Sequence, residues 1–332
     1  MSHRETIAQF VGQILHGSLE GQVSGLNALK DLLIGLTGLD SIHDTRSFAK
    51  TGLILSPEDA ASCMLSPGRT VKYWLACIEQ IQEKAQQGSD CIHILYPGTG
   101  PFGTLLIPLL CYFQWQDLKI TLVEYNKGSA QCLSRLIEVL QLPFNINLHN
   151  QDAIKFVPEQ PIDILLMECM LAALQQEGQV PLTLHFATHL SEDGVIIPQK
   201  VEIALQYIDS RKELELIEKK KNNGFQGRAE MDFTRQLVSQ LFLLDKNTVH
   251  AYRKSNNALS LGKVGIPAPS KELPDLVLTT RIILNNRHTL KQYEDGLTFP
   301  MLLSDWQVSA GFVTEVRYEL FEQPRFTFNE GL

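Results

Sequence analysis

Four carboxylates and three glycines carry the chemistry legible in this chain. Glu124, Asp152 and Glu168 each end, or closely follow, a short apolar run: Ile120-Thr121-Leu122-Val123, Ile146-Asn147-Leu148 and Ile162-Asp163-Ile164-Leu165-Leu166-Met167. Runs of this length read as buried strands. In an open α/β sheet, ligands bind at the carboxyl ends of the strands, so acids there would line a site. Glu177 follows Glu168 by nine positions. Upstream, Gly98, Gly100 and Gly103 stand in GxGxxG spacing directly after the apolar run Ile92-His93-Ile94-Leu95-Tyr96. A glycine lets the backbone approach a ligand and take positive φ. A helix N-terminus behind it offers free N–H groups to polar ligand atoms. Strand, glycine turn and helix together make a nucleotide-binding βα unit. Glu124 lies 21 residues after Gly103, where such a unit sets a carboxylate on ribose hydroxyls.

The elements that must position these residues are also readable. A helix is expected from Thr104 to Phe113, behind the glycine turn. Another, from about Thr70 to Gln86, carries Val71, Tyr73, Trp74, Cys77, Ile78 and Ile81 and leads into the glycine unit. Ile7, Phe10, Val11, Ile14 and Leu15, then Leu26, Leu29, Leu32 and Leu33, have the i, i+3, i+4 spacing of two amphipathic helices, with a break near Gly17–Gly25. Ser56-Pro57 reads as a helix start, serine capping and proline in the first position. Beyond Glu177 the pattern predicts a helix over Val180–Leu190, a turn at Ser191-Glu192-Asp193-Gly194 and a strand ending in Pro198. After Pro198, residues 201–207, 276–280 and 312–318 alternate with period two, as half-buried strands do. The expected organisation is a helical N-terminal cap (1–60), a Rossmann-like α/β domain (61–198) and a β-rich domain (199–332).

Composition narrows the function classes. Hydrophobic residues make up 44% of the 332 and charged residues 20%, as in an ordinary globular protein. A net charge of -8 lacks the basic footprint of general nucleic-acid binding and would suit a cationic substrate. No apolar run approaches the length of a membrane span, and no signal peptide opens the chain. The six cysteines are scattered without a CxxC, so reduced thiols in a cytoplasmic protein are expected. No metal is implied. His185 and His189 stand four apart on one expected helix, and packing or surface roles are the simpler reading.

The glycine turn and the strand-ending acids resemble the class I S-adenosylmethionine-dependent methyltransferases. The resemblance implies that Gly98, Gly100 and Gly103 hold the methionine part of the cofactor, Glu124 the ribose and Asp152 the adenine. Two residues before the first glycine, where that family usually has an acid, stands Tyr96. An NAD-linked Rossmann enzyme is the other reading of the glycine turn, and it leaves the later acids without a role.

Glu168, Glu177 and the following Ser191-Glu192-Asp193-Gly194-Val195-Ile196-Ile197-Pro198 resemble the protein arginine methyltransferases. There two glutamates at this spacing form a loop that clamps a guanidinium. A guanidinium is planar and offers a fork of donors that matches carboxylates bidentately. Positioning one nitrogen for in-line methyl transfer then supplies most of the rate. The resemblance assigns catalysis to Glu168 and Glu177 and a grip on the cofactor carboxylate to Arg69, on a helix that Pro67-Gly68 is expected to interrupt. It implies that the β-rich domain is barrel-like. It also implies that residues 211–244, with their charge run 218–221, form an arm to a second subunit of a homodimer. The best counterpart of the family's late substrate-binding loop is Ser304-Asp305-Trp306, with Asp305 and Trp306 as the contacts.

A short barrel segment and a helical cap suit closure over a small molecule. The expected activity is S-adenosylmethionine-dependent methyl transfer to a guanidino nitrogen, releasing S-adenosylhomocysteine. Free L-arginine or a small guanidino metabolite stands ahead of protein-bound arginine. A methyltransferase of a non-guanidine metabolite and a cofactor-binding regulatory protein without turnover stay open.

Overall fold

The computed structural model describes residues 2–88, 91–113, 115, 117–222, 233–252, 257–303 and 310–330. The chain opens with two helices, α1 (His3–His16) and α2 (Leu19–Thr37). Ser2 and Glu5 form a reciprocal capping box on α1, Ser18 caps α2, and Gly38 closes α2 in the left-handed region at φ 66°. The break between them is only Gly17-Ser18, so Gly25 sits inside α2 and not in the interruption expected at 17–25. Space explains it: a Cβ at Gly25 would lie 2.6 Å from Ile14 Cγ1, so the glycine lets α1 and α2 close on each other.

A hairpin of β1 (Ser47–Ala49) and β2 (Gly52–Ile54) follows, then α3 (Pro57–Ser62), capped by Ser56 as expected. Next comes α4 (Pro67–Gln86). Pro67 and Gly68 begin this helix and do not interrupt it. Proline fits the first turn, where its missing N–H has no intrahelical partner to lose.

The central domain alternates β3 (Ile92–Pro97), α5 (Ile107–Tyr112), β4 (Leu118–Glu124), α6 (Lys127–Leu140), β5 (Asn145–Asn150), β6 (Ile162–Leu166), α7 (Gln179–Phe186) and β7 (Leu190–Ile197). The strands form one parallel sheet in the order β5-β4-β3-β6-β7. This is the Rossmann-like arrangement, whose strand order reverses beside β3. All six residues of β3 are buried, as a central parallel strand requires. Two elements differ from their expected bounds. Residues 101–106 are turns, and α5 starts only at Ile107, because Gly103 is left-handed at φ 54° and Pro108 sits in the helix's first turn. Residues 191–194 belong to β7, not to a turn before it, and a register irregularity against β6 absorbs them.

The last part of the chain is antiparallel. It comprises β8 (Lys200–Ile208), α8 (Ser210–Asn222), β9 (Gln236–Asp245), α9 (Lys246–Tyr252), β10 (Ala258–Gly265), β11 (Asp275–Ile283), β12 (Thr289–Leu290), β13 (Met301–Leu302), β14 (Val313–Glu319) and β15 (Arg325–Glu330). One sheet runs β12-β11-β8-β9 with β13 on β11; the other runs β10-β14-β15. Their faces meet through aromatic rings: Phe242 of β9 stacks on Tyr318 of β14 at 5.8 Å and stands edge-on to Phe326 of β15 at 6.1 Å. No described helix is long and apolar enough to cross a membrane.

Candidate active site

The glycine turn lies at the carboxyl end of β3. Gly98, Gly100 and Gly103 all take left-handed φ, at 68°, 63° and 54°. Gly98 is the tightest of the three: a Cβ there would fall 2.3 Å from Cys169 Sγ, against 2.6 Å from Ile107 Cγ1 at Gly103. Gly98→Ala is expected to destabilise the protein by about 1–3 kcal/mol, from left-handed strain plus overpacking. Urea denaturation checks it; wild-type stability would show that the turn relaxes freely.

Glu124 ends β4 and reaches back to this turn. Its carboxylate accepts the Gly100 N–H at 2.7 Å, the Thr99 hydroxyl at 3.2 Å and the Asn126 N–H at 2.8 Å. Burial pushes its pKa up, and those hydrogen bonds oppose the shift. Asp152 follows β5 and caps a short turn by accepting the Ile154 N–H at 3.3 Å. Gly98, Gly100, Glu124 and Asp152 line one cavity of about 100 Å³. The sheet thus brings together the glycine turn and two of the acids that the sequence places at strand ends.

A larger cavity of about 470 Å³ shares Gly98, Gly100, Glu168 and Glu177 with the smaller one, so the two form a continuous cleft. Its lining adds Arg69, Tyr96 and, from the antiparallel domain, Asp295. Tyr96 is almost wholly buried, and burial with the Glu168 charge beside it holds its hydroxyl protonated as a potential donor.

The loop from Glu168 to Glu177 is held in an unusual shape. Ala173, Leu174 and Gln176 sit at φ 56°, 55° and 64° although none is glycine. Each such residue costs about 1–3 kcal/mol and persists only where its surroundings over-determine it. Here they do. The Ala173 N–H donates to Thr280 Oγ1 on β11 at 2.9 Å, and the Tyr318 hydroxyl donates to Leu174 O at 2.5 Å. The Gln176 N–H donates to Pro324 O at 2.6 Å, while Gln176 O accepts the Leu53 N–H of β2 at 2.7 Å. This framework sets both glutamates on the cavity wall.

Glu168 already holds a guanidinium. Arg69 donates through Nη1 to Glu168 Oε2 at 3.0 Å and through Nη2 to Cys63 O at 2.7 Å, and its Nε stands 3.7 Å from Asp295 Oδ2. Burial opposes the Arg69 charge, but Glu168 and Asp295 outweigh it and hold the guanidinium above its ordinary pKa. Burial likewise pushes Glu168 up, with Arg69 pulling the other way. Glu177 has no side-chain hydrogen-bond partner among the described residues. Burial, with the Glu168 charge adding, pushes it up to about 8.

Sequence reasoning placed the late contacts at Asp305 and Trp306, which lie outside the described residues. It missed Asp295, which the antiparallel domain delivers to the cavity. The only local signal was the Asp295–Thr298 capping pair, which reports a turn and not a site. His185 binds the Phe156 carbonyl at 2.7 Å, in keeping with packing. Among the described residues no group of three or more His, Cys, Asp or Glu side chains could hold a metal ion.

Comparison with protein-family models gave no match, and comparison with curated proteins gave none. Among solved structures the chain is similar to one from the Trypanosoma brucei PRMT1 enzyme–prozyme heterotetrameric complex with AdoHcy, at 14% identity and a TM-score of 0.47, over 78% of this chain and 86% of that one. It is also similar to protein arginine methyltransferase 10 of Arabidopsis thaliana in an open conformation, at 13% identity and a TM-score of 0.46, over 78% of this chain and 95% of that one.

Proposed function

We propose that this protein is an S-adenosylmethionine-dependent methyltransferase acting on a guanidino nitrogen. One observation carries the reading. The glycine turn, the strand-end acids and the Glu168–Glu177 pair line a single cleft, and one of the pair already binds a guanidinium side chain. The residues suit the cofactor: the turn leaves space over the backbone at Gly100, where an added Cβ would meet only Ala60 Cβ at 3.4 Å, Glu124 and Asp152 face the place for a nucleoside, and Arg69 is a cation for a carboxylate. When bound, S-adenosylmethionine supplies an electrophilic methyl group on a sulfonium and leaves as S-adenosylhomocysteine.

The chain's own residues do the rest. Glu168 and Glu177 hold the acceptor's guanidinium flat between them and aim one nitrogen at the methyl carbon. That nitrogen would form its bond to carbon as the carbon–sulfur bond breaks, and it would give up a proton. Glu177, raised to about 8, is placed to take it.

Free L-arginine or a small guanidino metabolite is the acceptor we place first. The wall made by Leu171-Ala172 and by Asp295-Gly296-Leu297 bounds the cavity on the side of the antiparallel domain. A second reading, protein-bound arginine, is favoured by an open groove elsewhere. It is lined by Phe48 and Phe321 with two acids, Glu319 and Glu322, against one base, Arg325, and would suit a cationic peptide.

Calorimetric titration of S-adenosylhomocysteine, then of free L-arginine and of an arginine-rich peptide in its presence, tests the reading. Binding of free arginine alone supports the small-acceptor form; binding of the peptide alone replaces it with the protein form. Binding of the cofactor product with neither acceptor refutes the guanidine assignment. No binding of the cofactor product refutes the methyltransferase.

A further inference from the structure

The contacts of Arg69 come from three separate parts of the chain. Glu168 belongs to the end of β6, the Cys63 carbonyl to the turn before α4, and Asp295 to the loop between β12 and β13. The third is the unexpected one. Asp295 lies 226 positions beyond Arg69 in sequence, yet its side chain is only 3% exposed and faces the Arg69 Nε.

Asp295 is itself held firmly. Its Oδ1 accepts the Leu297 N–H at 2.8 Å, and its Oδ2 accepts the Ser66 hydroxyl. Its backbone N–H donates to the Thr298 hydroxyl at 3.2 Å, and the Thr298 N–H returns a bond to Asp295 O at 2.9 Å. The preceding residues are also fixed. Tyr293, left-handed at φ 62°, donates its hydroxyl to Glu213 at 2.5 Å, and Glu213 is paired with Arg235 at 2.6 Å. The loop is therefore a preset platform that meets α4.

Two bases one turn apart on α4 meet two adjacent acids of that platform. Arg69 faces Asp295, and Lys72 pairs with Glu294 while donating to Thr289 O at 2.8 Å. The two pairs differ in depth: the Arg69 and Asp295 side chains are 11% and 3% exposed, those of Lys72 and Glu294 26% and 18%. The outer pair is a seam contact with water access. The inner pair lies on the cavity.

We propose that Asp295 is a positioning residue: it fixes the Arg69 guanidinium from the antiparallel domain, so that Arg69 presents its remaining N–H groups to the carboxylate of a bound cofactor while Glu168 stays aligned for the acceptor. The ligand side of this inference rests on the proposed function; the geometric side does not. A guanidinium tethered only at its outer nitrogens can pivot about its stem. An acid 3.7 Å from Nε restrains the plane by charge from a third side, which favours a bidentate grip on a second carboxylate. Misplacing such a group by about 1 Å can cost on the order of 100-fold in rate.

The test compares wild type, Asp295→Asn, Asp295→Glu and Glu294→Gln by two readouts. The first is the Arg69 Nε–H signal in proton–nitrogen NMR, assigned by its loss in Arg69→Lys. The second is affinity for S-adenosylhomocysteine together with separate kcat and KM for the methyl donor. In wild type the Nε–H is expected to exchange slowly with water. In Asp295→Asn that protection is lost and product affinity falls about tenfold, as for a misaligned charged contact. Donor KM rises more than kcat falls, Asp295→Glu recovers part of both, and Glu294→Gln changes neither.

A fast-exchanging Arg69 Nε–H in wild type overturns the proposal with no variant needed. So does protection that survives Asp295→Asn, or Glu294→Gln matching Asp295→Asn, which would make the contact a general domain seam. If wild type fails to bind S-adenosylhomocysteine, the proposed function falls, and the NMR comparison alone still decides the anchoring.

Discussion

Glu168→Gln is expected to lower kcat/KM for methyl transfer by about 1,000-fold. The substitution keeps size and shape and removes the charge. Taking one partner from a buried, hydrogen-bonded charge pair costs about 2–5 kcal/mol, and 4 kcal/mol is roughly three orders of magnitude in rate. Glu168 is engaged on two sides, bonded to Arg69 at 3.0 Å and facing the cavity, so the loss falls on acceptor alignment and on Arg69 together. Global stability should fall as well, by less than the about 3–5 kcal/mol of an uncompensated buried charge, because Arg69 keeps Asp295 and the Cys63 carbonyl. Single-turnover methyl transfer measures the first and urea denaturation the second. A fall of less than tenfold would remove the guanidinium clamp from the proposed mechanism.

Glu177→Gln should stabilise the protein at high pH. Glu177 is 8% exposed, has no side-chain partner among the described residues, and is pushed from 4.5 to about 8 by burial and then by Glu168. The folded protein therefore favours the neutral acid. The stability tied to that acid is full below 4.5 and is lost as pH rises through 8, because the folded state binds the extra proton over that window. At 1.36 kcal/mol per pKa unit, the loss by pH 9 is on the order of 5 kcal/mol. Glu177→Gln has no charge to bury, so its melting temperature should match wild type near pH 5 and exceed it by several degrees at pH 9. Methyl transfer should be abolished at both. In wild type, kcat/KM for the acceptor should rise with pH and level off above about 8, as the free enzyme's Glu177 ionises. Equal melting differences at pH 5 and pH 9 would mean that Glu177 is not a buried titrating group.

What the sequence showed clearly was the part built from contiguous residues. Ile92–Tyr96 is apolar apart from His93, whose ring nitrogens bond Pro161 O and Thr121 Oγ1, because β3 is covered on both faces, and the glycines follow at once because left-handed φ is needed there. Strand-end acids were visible because parallel topology sends every strand's carboxyl end to the same edge. The start of α4 was misread because Pro67-Gly68 is also a breaker, and only tertiary context makes it an N-terminus. The short α5 was misread because its apolar residues would pack equally well as turns. Asp295 could not be found: nothing in Tyr293-Glu294-Asp295-Gly296 distinguishes a cavity acid from a solvated turn, and its role comes from a domain contact with α4. The Arg69–Glu168 pair was equally hidden, since each residue was assigned to a different ligand.

The left-handed loop between Glu168 and Glu177 also sets the order in which the protein can be built. Its backbone is pinned by Leu53, Thr280, Tyr318 and Pro324, and two of those bonds span 107 and 144 positions. Long closures of this kind form late, after local pairings have paid most of the ordering entropy. The strand pairings of the parallel sheet end at Ile197, whereas the loop between the two glutamates takes bonds from as far along the chain as Pro324. A chain cut before Tyr318 would lose the Tyr318 and Pro324 bonds to the loop and keep those of Leu53 and Thr280, although no residue beyond Leu297 lines the larger cavity among those described.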